Sequence, residues 1–223
     1  MPTAIVLGAS GLVGARLLAR LREESHYDHI RVLTRRPLGV GGGKVEERVV
    51  DFDAPGADAL SGDDLFCCLG TTIKKAGSEE AFRRVDHDYP LAFARAALAA
   101  GVGRMLVVTA VGASASSGIF YNRVKGELEA ALGALGFPRG LGILRPSMLL
   151  GERGESRPGE AVGKAVMGAL SFAFAGGLKK YRAIAGDDVA KAMVHIAVHD
   201  AAPGARVYEG AALFEAARAS SVG

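Results

Sequence analysis

Short apolar runs alternate with helical periodicity along most of this chain, and that rhythm narrows the fold more than any other feature. Residues 3–7 read TAIVL, a β-branched run suited to a strand buried on both faces. Leu12, Val13, Leu17, Leu18 and Leu21 then recur at helical spacing over residues 11–23. The same reading predicts strands at 30–33, 45–50, 65–69, 105–109 and 142–144. It predicts helices at 78–100, 121–135, 159–173 and 187–198. Such alternation implies parallel strands joined by right-handed crossovers. The expected architecture is therefore α/β: a doubly wound parallel sheet with helices on both faces. The 223 residues suit one domain, expected to span 1–223. Between about 150 and 185 the alternation lapses, and a small C-terminal lobe of substrate-side, lid-like elements is expected there.

Charge excludes some partners. The 27 basic and 24 acidic residues give a net charge of only +3. Nothing in that balance calls for nucleic acid or an anionic membrane. No charge-free run of about 20 apolar residues exists to cross a bilayer, and the glycine-broken start makes a poor signal peptide. Cys67 and Cys68 are adjacent, a geometry that strains a disulfide. They read as small apolar fillers in a buried strand, and a reducing, cytoplasmic location is expected.

Between the first strand and first helix lies GASGLVG, with Gly8, Gly11 and Gly14. A dinucleotide turn needs a tight bend, bare backbone near the pyrophosphate and close helix–strand packing. Glycine serves all three, and the helix N-terminus offers free N–H groups to phosphate. The spacing is G-x-x-G-x-x-G rather than the commoner G-x-G-x-x-G. The second predicted strand ends in TRRP, where an NAD-selective fold usually carries an acid. Arg35 and Arg36 instead suit a 2′-phosphate held by bidentate bonds, so NADP(H) is expected over NAD(H). The fourth strand runs into CLGTT: Gly70 would admit the cofactor closely, and the hydroxyls of Thr71 and Thr72 could donate to it. Asp51 and Asp53 follow the third strand and are read as turn formers or as contacts to the adenine edge.

Residues 120–129 read FYNRVKGELE, which places Tyr121 and Lys125 on one helix face. A free phenol has a pKa of about 10, and an ammonium about 4–6 Å away favours the phenolate. Such a pair suits general acid–base work on a carbonyl/alcohol couple.

Taken with LRPS, these segments resemble the short-chain dehydrogenase/reductase superfamily. TRRP, FCCLGTT, VDHDYP, YNRVKGELEA and RPSMLLGERGESRPGE narrow the resemblance to its atypical, Tat-interactive-protein-type branch. The resemblance covers most of residues 3–160 and implies a Rossmann-like fold that binds NADPH. Tyr121 then matches the catalytic tyrosine. Lys125 matches the lysine that binds the nicotinamide ribose and lowers the tyrosine pKa. Ser10, Gly11, Leu12 and Val13 match the phosphate turn, Arg35 and Arg36 the 2′-phosphate grip, and Leu69 and Gly70 the strand-four cofactor edge. Pro146 and Leu149 match the nicotinamide-flanking loop, and Arg157 an arginine reaching the cofactor. The superfamily's usual serine after strand five is missing: Thr109 and Ala110 stand there. Thr109 is the candidate hydroxyl donor, with Ser114 and Ser116 as looser ones.

Two functions follow. One is an NADPH-dependent reductase, or the reverse dehydrogenase, acting on a small carbonyl or alcohol. The other is an NADP(H)-sensing regulator without turnover, working through a homodimer or a protein partner. His195 and His199 are spaced as metal ligands can be, but no third ligand is in reach, so no metal is expected. Asp187 reads as a helix cap.

Overall fold

A computed structural model describes residues 1–150, 182–200 and 202–219. Seven strands form a wholly parallel sheet in the order β3-β2-β1-β4-β5-β6-β9. They are β1 (Thr3–Leu7), β2 (His29–Thr34), β3 (Val45–Val49), β4 (Asp64–Cys67), β5 (Arg104–Val108), β6 (Leu141–Arg145) and, after two short strands, β9 (Ala205–Glu209). The short pair, β7 (Leu149–Leu150) and β8 (Ile184–Ala185), flanks the undescribed stretch 151–181. The lid-like lobe and the helix expected at 159–173 fall almost wholly in that stretch.

Helices cover both faces. On one, α1 (Leu12–Glu23), α6 (Gly186–His199) and α7 (Ala211–Ala219) set Leu17, Leu21, Val189, Met193 and Leu213 against Val6, Val32 and Phe66. On the other, α4 (Tyr89–Ala99) and α5 (Phe120–Gly133) set Phe93, Ala97, Leu128 and Leu132 against Ile5, Leu65, Val107 and Ile143. The doubly wound expectation is met, and the order reverses between β1 and β4, where such sheets open a ligand crevice.

Three local departures have physical causes. The single helix expected over 78–100 divides into α3 (Glu79–Arg83), a π-turn (Arg84–Asp88) and α4. Pro90 has no N–H for the Asp86 carbonyl and its ring would press on it. The chain widens instead, and the Tyr89 N–H bonds to the Arg84 carbonyl five residues back. A four-residue helix, α2 (Ile73–Ala76), precedes it, capped by the Thr72 hydroxyl. Asp187 does not cap α6: the N-cap is Ala185, and Asp187 lies in the first turn. There its carboxylate takes two bonds from Arg20 of α1, at 2.9 and 2.6 Å, tying two helices of one face. Strand β9 and helix α7 lie beyond the last predicted helix and were not expected.

A buried polar knot closes the N-terminal ends of the central strands, away from the crevice. Asp64 is fully buried and accepts from the Tyr27 hydroxyl at 2.7 Å and from Arg139 Nη2 at 2.8 Å. Arg104, also buried, lies 3.8 Å from Asp64 and donates to the carbonyls of Ile196 and Ala197 at the end of α6. Burial, with Asp64 beside it, holds the Tyr27 phenol well above its ordinary pKa, so it remains a donor. Asp64→Ala strands two arginines without their acid. It is expected to lower stability by about 3–5 kcal/mol in urea unfolding; a loss under about 1 kcal/mol would mean the knot contributes little.

Candidate functional site

The crevice is built on the glycine turn. Gly8 has φ +82°, and a Cβ there would stand 2.5 Å from the Cys68 carbonyl oxygen of the neighbouring β4 segment. A Cβ on Gly14 would stand 2.1 Å from the Gly8 carbonyl oxygen. Backbone therefore packs on backbone, and the N-terminus of α1 is set at the switch point. Its N-cap is Gly11, with no side-chain cap and no acid in the first turn. The free N–H groups and the positive end of the helix dipole face the crevice.

Two adjoining cavities of about 690 and 700 Å³ occupy it, each of cofactor-pocket size. Ser10, Gly11, Leu69, Gly70 and Thr71 line both. The first continues past Leu12, Val13, Val108 and Leu149 to Tyr121 and Lys125. The second continues past Gly8 to Arg35, Arg84 and Tyr89. Most of the expected residues thus gather along one cleft. Gly14 packs under the turn and lines neither cavity. Arg36 is exposed and also lines neither. Pro146 is buried, and its carbonyl serves the Val111 N–H at 3.0 Å. Arg157 lies outside the described residues.

Helix α5 presents Tyr121, Lys125 and Glu129 at successive i, i+4 positions. The Tyr121 ring leans on the fully buried Phe82 of α3, with centroids 5.4 Å apart. Lys125 is buried, and its Nζ lies 2.7 Å from Oδ1 of the equally buried Asp86. Oδ2 of Asp86 accepts from the Thr71 N–H at 2.8 Å. The π-turn thus turns an acid inward and ties the cofactor-edge loop to the lysine. Sequence reading did not single out Asp86 within VDHDYP; its neighbour His87 bonds to Asp88 at 2.7 Å. The missed signal is an acid preceding a mid-helix proline by four, where the helix must widen.

Thr109 differs from its expected role. It lines the first cavity, but its hydroxyl donates to Glu129 Oε1 at 2.6 Å. Glu129 is buried and also accepts from Arg145 Nε at 3.0 Å. The proton expected for a substrate oxygen is committed to this tether between α5, β5 and β6. Ser114 and Ser116 are exposed, 3.0 Å apart and outside both cavities. Asp51 accepts from the Asp53 N–H at 2.9 Å as a turn former. Burial pushes the Cys67 thiol up to about 11 and the Cys68 thiol well above its ordinary value. Cys67 is the buried filler of β4 that was expected, whereas Cys68 lies half-buried just past β4 and lines both cavities; neither is in a disulfide. No metal-binding cluster occurs among the described residues.

The cleft fits a dinucleotide. The uncapped α1 terminus suits pyrophosphate, and Gly11 and Gly70 admit it closely. Asp86 Oδ1 is buried and paired at 2.7 Å with the Lys125 ammonium at the cavity wall. That pairing of acceptor and donor suits the hydroxyls of a ribose.

No family model matches the chain. Protein HTATIP2 of Rattus norvegicus is 40% identical over 178 residues, 77% of this chain and 73% of that one. Protein FMP52 of Eremothecium gossypii, named as mitochondrial, is 34% identical over 211 residues, 93% of this chain and 94% of that one. A short-chain dehydrogenase/reductase superfamily protein of Agrobacterium tumefaciens, solved with bound NAD, superposes with a TM-score of 0.66. It is 18% identical, with 96% of this chain and 81% of that chain covered, so it speaks to fold alone. The fungal name overturns the expected cytoplasmic location. Free cysteines report a reducing milieu, which does not single out one compartment. On identity and coverage this chain belongs to the family of HTATIP2 and FMP52, and it shares its fold with the short-chain dehydrogenase/reductase superfamily protein.

Proposed function

We propose that this protein is an NADP(H)-dependent oxidoreductase that interconverts a small carbonyl compound and its alcohol. One observation carries the reading: Tyr121 and Lys125 line the same cavity as Ser10, Gly11, Leu12 and Val13 of the phosphate turn. A nicotinamide dinucleotide, when bound, supplies or accepts the hydride. The chain's own residues manage the proton and the positioning. Tyr121 holds its hydroxyl proton at the cavity wall, gives it to the carbonyl oxygen in reduction and takes it back in oxidation. Phe82 fixes the plane of its ring. Lys125 and Asp86 would hold the nicotinamide ribose, and Val108 and Leu149 supply apolar wall that limits water. Arg35, at the far end of the cleft, would hold the 2′-phosphate and so favour NADP(H).

The Thr109 tether favours a second reading, an NADP(H) sensor without turnover, because the usual hydroxyl partner of the tyrosine is committed to Glu129. A wild-type protein that binds NADPH yet reduces nothing in a broad aldehyde and ketone panel would establish it.

Tyr121→Phe removes only the hydroxyl. Turnover should fall at least about a hundredfold, while NADPH affinity stays the same and stability changes by less than about 0.5 kcal/mol. Unchanged turnover would sink the acid–base role. Lys125→Met alone leaves Asp86 buried without its partner and should cost about 3–5 kcal/mol. Adding Asp86→Asn should return most of that stability while turnover stays lost; recovered turnover in the pair would make Lys125 purely structural. Arg35→Ala should weaken NADPH about tenfold or more and NADH less than about twofold, as read by calorimetry.

A further inference from the structure

The second cavity carries more charge than the TRRP segment brings to it. Arg35, Lys75 and Arg84 line it from three separate stretches of chain, with Glu80 as the carboxylate among its walls. Glu80 is turned back on its own backbone N–H and the Ser78 hydroxyl at the start of α3. Arg84 belongs to the π-turn and is supported on two sides. Its Nε and Nη2 both donate to Asp53 Oδ1, at 3.1 and 2.6 Å. Its guanidinium carbon lies 5.5 Å from the centroid of the Tyr89 ring. Tyr89 meets Phe52 edge to face at 5.6 Å, and Phe52 carries Arg35 at 5.8 Å. Two arginines thus rest on one aromatic pair, Phe52 and Tyr89, both buried. Arg84, and less strongly Arg35, hold the Asp53 carboxyl below its usual range, so all three groups share one field.

An exposed ion pair contributes about 0–1 kcal/mol, too little to explain so supported a guanidinium as a stabilising device. Its place on the cavity wall gives it another use. We propose that Arg84, aimed by Asp53 and Tyr89, is the second arm of a two-arginine clamp with Arg35 for a phosphomonoester on the adenosine ribose. Arg84 takes the place that adjacency in sequence suggested for Arg36. The clamp deepens the NADP(H) reading and rests on it. Arg84 is a binding residue, and Asp53 a positioning residue that acts through it.

The test uses the full chain and two fragments, adenosine 2′,5′-bisphosphate and adenosine 5′-monophosphate, titrated by calorimetry at low salt. Arg84→Met keeps the stem on Tyr89 and removes the charge. The bisphosphate should weaken at least about tenfold and the monophosphate by less than about twofold. Arg36→Met should leave both within about twofold. Equal losses for both fragments in Arg84→Met would make Arg84 an adenine-stacking residue and overturn the clamp, as would no loss. Asp53→Ala removes a negative charge from beside a dianion site. If that charge merely repelled phosphate, the bisphosphate would bind more tightly; if Asp53 aims Arg84, it binds more weakly. Weaker binding is expected, and tighter binding would remove Asp53 from the proposal. Thermal melts confirm that each variant is folded. A wild-type protein that ignores the bisphosphate but binds NADH would overturn the NADP(H) reading and the clamp together. A wild type that binds the bisphosphate while Arg84→Met binds it equally well overturns the clamp alone.

Discussion

Everything at the crevice depends on a place where backbone touches backbone. The Gly8 carbonyl sits where a Cβ of Gly14 would be, and the Cys68 carbonyl where a Cβ of Gly8 would be. Any side chain at either position drives α1 away from β1 and β4. With glycine, the helix starts at the point where strand order reverses, its first N–H groups uncapped and aimed at the cleft. The anion site is thus a by-product of packing: the same absence of side chains that lets the helix close down leaves its positive end bare.

Around that contact the polar groups fall into two sets. The Tyr27, Asp64, Arg104 and Arg139 knot lies at the N-terminal ends of the central strands, away from the crevice. The other set lies at the C-terminal, crevice end of the strands, where Asp86 meets Lys125 and Glu129 meets Thr109 and Arg145. Both of these pairs anchor α5, one from the π-turn and one from β5 and β6. A helix pinned at two successive turns presents Tyr121 at a fixed position on the cleft wall. Burial makes the pinning strong and also costly to disturb. Removing one partner leaves a charge in low dielectric, whereas removing both is nearly neutral. Mutations at Lys125 therefore mix chemistry with folding unless Asp86 changes too.

The sheet was legible because its signals are local. TAIVL, MLVV and their neighbours are β-branched or apolar throughout, as strands buried on both faces must be. Each central strand was found to within a residue or two. The glycine turn and the Tyr121/Lys125 pair were legible for the same reason, each being a motif within one turn of chain. What escaped depended on distant partners. Thr109 looked like a free hydroxyl because nothing near it in sequence names Glu129 as its acceptor. Arg36 looked like half of a grip because it adjoins Arg35, yet in a strand-to-loop exit adjacent side chains diverge. Asp86 and Arg84 were hidden inside a helix expected to be regular, and only the clash of Pro90 with a carbonyl breaks it. Strand β9, an exposed edge strand reading ARVYE, has too little apolar pattern to announce itself.

The central claim is that the cleft holds NADP(H) in preference to NAD(H). A fluorescence titration of the 223-residue protein with NADPH and, separately, with NADH tests it most directly. NADPH should bind at least about tenfold more tightly than NADH, the difference that charge-assisted contacts to one phosphate supply. Equal affinities would contradict the role given to the arginine end of the cleft. Binding of neither would contradict the account as a whole.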